Sequence, residues 1–169
     1  MQFETRALGK LEIEAAKQIF FPEGLFAFEA FRHFALLPTK SGSTFHWLQS
    51  LEDARLAFLV TLIPEITVKY QPKIDLQFLS LIEATEAAQV EIWGIITVPT
   101  GKPEAMTINL QGPVLINRAK KLGGQFVSDD PNHLVRTPLL DLVDHPSTGS
   151  GSGGSAAGQV SSADPGKRA

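Results

Sequence analysis

Asn109-Leu110-Gln111-Gly112-Pro113-Val114-Leu115-Ile116-Asn117 is the most distinctive stretch of this 169-residue chain. It is an apolar run with amides at its ends, and Phe45-His46-Trp47-Leu48-Gln49-Ser50-Leu51-Glu52-Asp53 has the same character. Apolar runs of this length between polar ends are typical of short strands. Neither stretch carries an activated nucleophile, a cluster of metal ligands or a phosphate-binding loop. We therefore expect a β-domain that presents a surface, not an enzyme.

The composition indicates an ordinary soluble protein. Hydrophobic residues make up 43% of the chain and charged residues 20%, and there is no cysteine. The lack of cysteine excludes disulfides, thiolate catalysis and zinc–sulfur sites, and it suits a reducing cytoplasm. No apolar run approaches the roughly 18 residues of a membrane span, and the N-terminus does not resemble a secretory signal. We expect a cytoplasmic protein with no membrane partner.

The chain divides near His145 into two regions. Residues 146–169 are almost entirely Gly, Ser and Ala, with Asp164, Lys167 and Arg168 as their only charges. Such a segment cannot bury enough apolar surface to offset the entropy of ordering, so we predict a flexible, disordered tail. Of the 15 basic and 18 acidic residues, 13 and 17 remain in 1–145, which is net −4. Without an excess of Lys and Arg, direct nucleic-acid binding is not expected.

Short strands at close spacing dominate residues 1–145. The predicted extended segments are 2–8, 11–14, 17–21, 34–37, 45–50, 56–63, 68–74, 89–98, 106–111, 114–117 and 125–128. Gly9-Lys10 is predicted to turn the first hairpin and Gly123-Gly124 the last one. Asp75 is predicted to cap one short helix that carries Leu76, Leu79 and Ile82 on one side. The pattern predicts a mainly β fold, a compact antiparallel β-barrel-like single domain.

Few residues have the spacing that catalysis or metal binding requires. The four histidines are scattered, and Asp129-Asp130-Pro131-Asn132-His133 has the composition of an ordinary turn. It lacks the alternating carboxylates and closing glutamate of a calcium loop. Arg118-Ala119-Lys120-Lys121 could contact RNA or an acidic protein, but a solvated hairpin loop is the preferred interpretation. We predict no catalytic residue, no metal and no cofactor.

Aromatic and amide residues have both a structural and a binding interpretation. Trp47 and Trp93 are predicted to be core residues, whereas the turn Gly24-Leu25-Phe26 is predicted to expose an apolar patch. Amides at strand ends can satisfy backbone groups or contact a partner. The structural role is favoured for Asn117. Both roles stay open for Gln49, Asn109 and Gln111.

Several separated blocks of the chain together carry a family resemblance. The blocks are Phe20-Phe21-Pro22-Glu23-Gly24-Leu25-Phe26-Ala27-Phe28-Glu29, then Trp47–Asp53, Leu56–Val60 with Pro64, Asn109–Asn117, Gln125–Val127 and Arg136–Leu139. In this order they resemble the FliW family of flagellar assembly factors. They follow the family order from about residue 2 to residue 140. In the Asn109–Asn117 block, Gly112 stands where the family usually has alanine. The resemblance implies a β-barrel-like domain, monomeric when free, without catalytic activity.

The resemblance also implies partners. Members of the family bind flagellin and, alternatively, CsrA, the RNA-binding repressor of flagellin translation, so that export of flagellin frees the factor to sequester CsrA. Tyr70-Gln71 occupies the position where the family often has Tyr-Glu, which replaces an acidic side chain by an amide. The candidate partner-binding residues are therefore Leu25, Phe26, Gln49, Ser50, Tyr70, Gln71, Asn109 and Gln111.

A rival interpretation from another class is a small ligand-binding or flavin-binding barrel. That class requires an enclosed pocket with converging polar groups. The scattered polar residues of this chain do not suggest such a pocket.

Overall fold

The computed structural model describes residues 2–5 and 9–143. The strands are β1 (Gln2–Thr5), β2 (Gly9–Glu12), β3 (Gln18–Phe20), β4 (His33–Pro38), β5 (Phe45–Ser50), β6 (Ala57–Leu62), β7 (Glu91–Thr97), β8 (Thr107–Asn117), β9 (Leu122–Gln125) and β10 (Thr137–Pro138). The two α-helices are α1 (Leu76–Leu81) and α2 (Leu139–Leu142). The predicted tail, 146–169, lies outside the described residues.

Seven strands close into a barrel. β3 to β8 follow one another as antiparallel neighbours, and β9 pairs with both β8 and β3 to complete the ring. The β3–β9 contact is parallel, and the short β10 adds to the outer end of β8. β1 and β2 form a separate two-stranded sheet. The mainly β, barrel-like fold predicted from the sequence is confirmed. None of the helices in the described chain is long and apolar enough to cross a membrane.

Apolar side chains fill the barrel interior. The inner faces of six strands contribute one cluster of buried residues, whose members include Ile19, Phe34, Leu48, Val60, Trp93 and Val114. On the opposite face of β7, Ile96 belongs to an outer cluster with Tyr70 and Leu110. β7 is thus covered on both sides, as its nearly continuous apolar sequence predicts.

The helix α1 covers the outside of β8 and β9. The Asp75 carboxylate accepts a hydrogen bond of 2.7 Å from the backbone N–H of Phe78, which confirms the predicted N-cap. Leu79 and Ile82 are buried against Leu115, whereas Leu76 is 74% exposed and not part of that face. The Asn117 side chain donates to the carbonyls of Ile82 and Glu83. This amide ties β8 to the end of the helix, as its predicted structural role requires.

Two predicted glycine turns are wrong. Gly9 and Lys10 pair with Thr5 and Glu4 inside the first hairpin, so they belong to β2. Gly123 and Gly124 lie within β9, and the turn before it is formed by residues 118–121, where the predicted solvated loop is confirmed. A Cβ on Gly123 would lie 2.8 Å from the ring of Phe21. Close packing, not a positive φ, therefore requires the glycine.

The predicted break at Pro113 is also wrong, because β8 runs unbroken through it. The register of the β7–β8 pairing shifts between Trp93 and Ile95. Trp93 pairs with Val114 but Ile95 pairs with Asn109, so the pairing skips the β8 residues in between. Pro113 lies inside that irregularity. The N–H that proline lacks is therefore not required for a hydrogen bond to β7. The proline is thus compatible with a strand whose ladder is locally interrupted.

Two further predictions need correction. Trp47 is only half-buried, because its side chain lies on the outer face of β5, away from the interior that holds Trp93. Residues 68–74 carry no regular secondary structure.

Candidate protein-binding surface

The chain leaves β3 through tight turns that expose one aromatic ring. The N–H of Gly24 donates to the carbonyl of Phe21, and the N–H of Phe28 donates to the carbonyl of Leu25. Leu25 is 1% exposed and Phe26 is 50% exposed. The two predicted neighbours therefore differ, because Leu25 anchors the turn in the core while Phe26 is presented to solvent.

A relay of hydrogen bonds joins this turn to β8. The Asn109 side chain accepts from the N–H groups of Gln111 and Gly112 at 3.0 and 2.9 Å. The Gly112 carbonyl accepts from the Gln125 amide at 2.9 Å, and the same amide's oxygen accepts from the N–H of Phe26 at 3.0 Å. Asn109 thus shapes β8 at its irregularity, and Gln125 connects that point to the exposed ring. Gln111 itself is exposed.

Because Gly112 has no side chain, it leaves space for the Gln125 amide that makes these hydrogen bonds. A Cβ at Gly112 would lie 2.8 Å from the Gln125 side-chain nitrogen. That amide is the far end of a flexible side chain, so a larger residue would displace it instead of disrupting the barrel. Glycine at this position therefore permits the contact between Gln125 and Gly112.

A surface groove lies beside the exposed ring, between the turn, α1 and the chain that follows β9. We call it the Phe26 groove; it has a volume of about 580 Å³. Its apolar side chains are Phe26, Phe78, Leu81, Phe126 and Val127. Phe78 and Phe126 meet edge to face with their ring centres 5.3 Å apart.

The Phe26 groove has acidic residues along its rim. Glu23 and Asp75 line it, and Glu29 lines the hollow that adjoins it at Gly24. Among the described residues that line these two depressions, none is Lys, Arg or His. The surface therefore combines exposed apolar area with negative charge, a combination that suits a basic partner.

Tyr70 is not on the surface. It is 8% exposed, its hydroxyl donates a 2.6 Å hydrogen bond to the Leu110 carbonyl, and its ring lies 4.6 Å from that of His133. Burial, and secondarily the nearby Asp130 carboxylate, raises the pKa of the Tyr70 hydroxyl, so it remains a protonated donor. The prediction that Tyr70 contacts a partner does not fit this placement. Gln71, directly after it, is exposed.

Replacing Tyr70 with phenylalanine is expected to lower the free energy of unfolding by about 1–2 kcal/mol, because the buried Leu110 carbonyl loses its hydroxyl donor. Urea denaturation of the purified protein measures the change. Gln71→Ala is the matched control, and its exposed side chain predicts a shift within about 0.5 kcal/mol. Equal stability of Tyr70→Phe and the parent protein would contradict the buried hydrogen bond.

Gln49 and Ser50 are buried residues. Both are 0% exposed. The Gln49 amide donates to the Ser50 and Leu56 carbonyls at 3.0 and 3.1 Å, and the Ser50 hydroxyl accepts from the N–H groups of Glu52 and Asp53. These bonds shape the loop between β5 and β6. The prediction that the two side chains form part of a partner surface does not fit their burial.

The same loop is linked to the start of β4. The Glu52 carboxylate accepts from the backbone N–H groups of His33 and Arg32 at 3.1 and 2.6 Å. The hydrogen bond from His33 is the main reason that the pKa of Glu52 is lowered. At the tip of the loop, Arg55 pairs with Asp53 at 3.0 Å and holds the pKa of that carboxylate down. The carboxylates of Glu52 and Asp53 therefore both have partners within this chain.

Residues 129–133 form the turn predicted from their composition, closed by a bond from the N–H of His133 to the Asp130 carbonyl. The Asp130 carboxylate accepts from the N–H of Asn132 at 2.8 Å, and a His133 ring nitrogen lies 2.6 Å from the Ser128 hydroxyl. In residues 2–5 and 9–143, no three His, Asp or Glu side chains are grouped so that they could hold a metal ion. These side chains stabilise the turn beside Tyr70.

The structure brings together some of the predicted residues and separates others. Asn109 and Gln111 lie on the β8 irregularity that Gln125 connects to Phe26, and Tyr70 bonds the Leu110 carbonyl between them.

Sequence reasoning missed Glu23, Phe78, Gln125 and Val127 as part of a surface. Phe78 could have been recognised from its position one turn before Ile82 on the predicted helix. A side chain there lies at the border between the buried face of the helix and the solvent.

Three comparisons with known proteins point to the same family. A family model described as FliW protein matches residues 2–139. The flagellar assembly factor FliW of Leptospira interrogans is 38% identical over 141 residues, which is 83% of this chain and 94% of that protein. That of Thermotoga maritima is 31% identical over 88% of this chain and 99% of its own length. A crystal structure of the flagellar assembly factor FliW superposes with a TM-score of 0.74 at 27% identity, covering 82% of this chain and 96% of that one.

Proposed function

This chain belongs to the FliW family of flagellar assembly factors, and from that premise we propose that it is a non-enzymatic regulator of flagellin synthesis. In this proposal it acts in the cytoplasm and binds flagellin or, alternatively, the RNA-binding repressor CsrA. Export of flagellin then leaves the protein free to sequester CsrA, and translation of flagellin resumes.

The observation that carries the proposal is the exposed Phe26 ring beside an acidic groove. A half-exposed phenylalanine that is fixed by a hydrogen bond at its own N–H is arranged for contact with another protein. The net charge of −4 in residues 1–145 favours encounter with a basic RNA-binding protein. The barrel interior is filled by apolar side chains, which disfavours the rival interpretation of a ligand-binding barrel.

The test is binding and competition with purified flagellin and CsrA. Isothermal titration calorimetry is expected to give a saturable one-site isotherm for each protein. Adding flagellin to the preformed complex with CsrA is expected to release CsrA, and size-exclusion chromatography followed by gel analysis measures the release. Failure of the unaltered chain to bind either protein would contradict the proposed function. Binding of both in one stable ternary complex would contradict the alternation.

A further inference from the structure

We propose that the Phe26 groove is the docking site for an extended segment of a protein partner, one that carries apolar side chains and a Lys or Arg. The inference rests on the proposed function, which supplies the partners but not the place where they bind. Three properties of the groove specify the occupant: its apolar area, its unpaired charge and its open backbone edge.

The apolar area is exposed and rigidly held. Phe26 and Val127, which both line the groove, are 50% and 54% exposed. The Phe26 backbone is fixed by the turn bonds of Gly24 and Phe28 and by the bond that its own N–H donates to the Gln125 side-chain oxygen. Little conformational entropy is therefore lost when this ring is buried, as is typical of an aromatic residue that dominates a binding interface.

The charge in the groove requires a basic partner group. One oxygen of Asp75 caps α1, and one oxygen of Glu29 accepts from the N–H of Ala27. No described residue hydrogen-bonds to or pairs with the Glu23 carboxylate, which lines both depressions. A Lys or Arg of the partner placed beside Glu23 would find no competing Lys, Arg or His among the described residues that line the two depressions.

The backbone of Val127 offers an open edge. The N–H groups of Phe126 and Ser128 donate to the carbonyls of Pro113 and Gln111, so these two residues extend the β9 pairing with β8. In an extended chain the intervening Val127 directs its N–H and C=O to the opposite side. Neither group has a backbone partner among the described residues. An extended partner segment can add to this edge while its side chains contact Phe26 and Glu23.

The test is calorimetric titration of three variants of the full chain against purified flagellin and CsrA. Phe26→Asp is expected to weaken binding of at least one partner by about tenfold or more. Glu23→Gln is expected to weaken the same complex and to flatten its dependence on salt. Val127→Pro removes the N–H donor and is expected to weaken it by about three- to tenfold, whereas Val127→Ala retains the donor. Val98→Asp places the same charge on an exposed apolar residue outside the groove and is expected to bind as the parent chain does.

The outcomes separate this inference from the proposed function. If the parent chain binds its partners and Phe26→Asp binds them equally well, the groove is not the docking site. If Phe26→Asp weakens binding but Val127→Pro matches Val127→Ala, the occupant is not an extended segment and the inference is wrong in that form. A dimer of the parent chain that Phe26→Asp dissociates, seen by sedimentation equilibrium, would assign the groove to a second copy and overturn the inference. Circular dichroism of each variant shows that its fold is intact.

Discussion

Replacing Gly24 with alanine is expected to lower the free energy of unfolding by about 2–4 kcal/mol. Gly24 has φ +67, a conformation that costs an alanine about 1 kcal/mol. A Cβ there would also lie 2.6 Å from the Cα and 2.8 Å from the carbonyl oxygen of Glu29. Because both contacts are to backbone, no side-chain rotation relieves them and the turn itself must move. Urea denaturation followed by circular dichroism measures the loss.

The displaced turn should also affect the surface that it carries. Phe26 is held two residues further on by the Gln125 amide, and movement of the turn would break that bond. We therefore expect Gly24→Ala to weaken binding to the partner that uses the Phe26 groove, even under conditions where the barrel remains folded. Calorimetric titration at low temperature, with the folded fraction checked by circular dichroism, separates this effect from the loss of stability.

The matched control is Ala27→Gly, three residues away in the same turn. Ala27 has φ +71, so a glycine there relieves strain while it increases the flexibility of the unfolded chain. The two effects oppose each other, and the stability should stay within about 1 kcal/mol of the parent protein. Similar large losses for both variants would mean that any change in this turn is disruptive. A neutral Gly24→Ala would contradict the backbone contact with Glu29.

The strands and the helix could be predicted because their signals are local. The run Phe45–Ser50 is a strand at the residues predicted, and Asp75 caps α1 through its own side chain. Alternation of apolar residues and capping depend only on neighbours within a few positions of the sequence. Closure of the barrel by β9 could not be derived in the same way, since a parallel contact between β3 and β9 joins residues about 100 positions apart.

The wrong predictions at Gly123 and at Pro113 have one physical origin. A glycine can supply a positive φ, as at Gly24, or make room for a ring, as at Gly123 against Phe21. The two uses look the same in a sequence and differ only in what packs against the residue. Pro113 is similar, because whether its missing N–H matters depends on the register of β7 across from it.

The exposure of the candidate residues was predicted only in part, for a related reason. An amide at a strand end looks equally able to be buried or exposed, and Gln49 is buried whereas Gln111 is exposed. Exposure at Phe26 was predicted because the residue lies in a turn, although Leu25 in the same turn is buried. Gln125 was missed because its role depends on two segments, one near Phe26 and one near Gly112, that are distant in sequence.

Replacing Gln49 with alanine is expected to destabilise the fold by about 2–4 kcal/mol and to leave the groove intact. The change opens a cavity at a 0% exposed site and removes the donor to the buried Ser50 carbonyl. One effect of the substitution opposes these losses of stability. The Gln49 side-chain oxygen has no hydrogen-bond partner, so its removal abolishes an unfavourable burial and places the expected value in the lower half of the range.

Denaturation of Gln49→Ala beside Gln111→Ala tests whether the two amides have different roles. Gln111 is exposed, so its truncation should change stability by no more than about 0.5 kcal/mol. At temperatures where Gln49→Ala is fully folded, it should bind partners as the parent chain does, because no atom of Gln49 reaches the surface. A stable Gln49→Ala protein with weakened partner binding would instead mean that the loop between β5 and β6 opens on binding and presents this residue. That result would restore Gln49 to the partner surface and overturn its assignment as a purely structural residue.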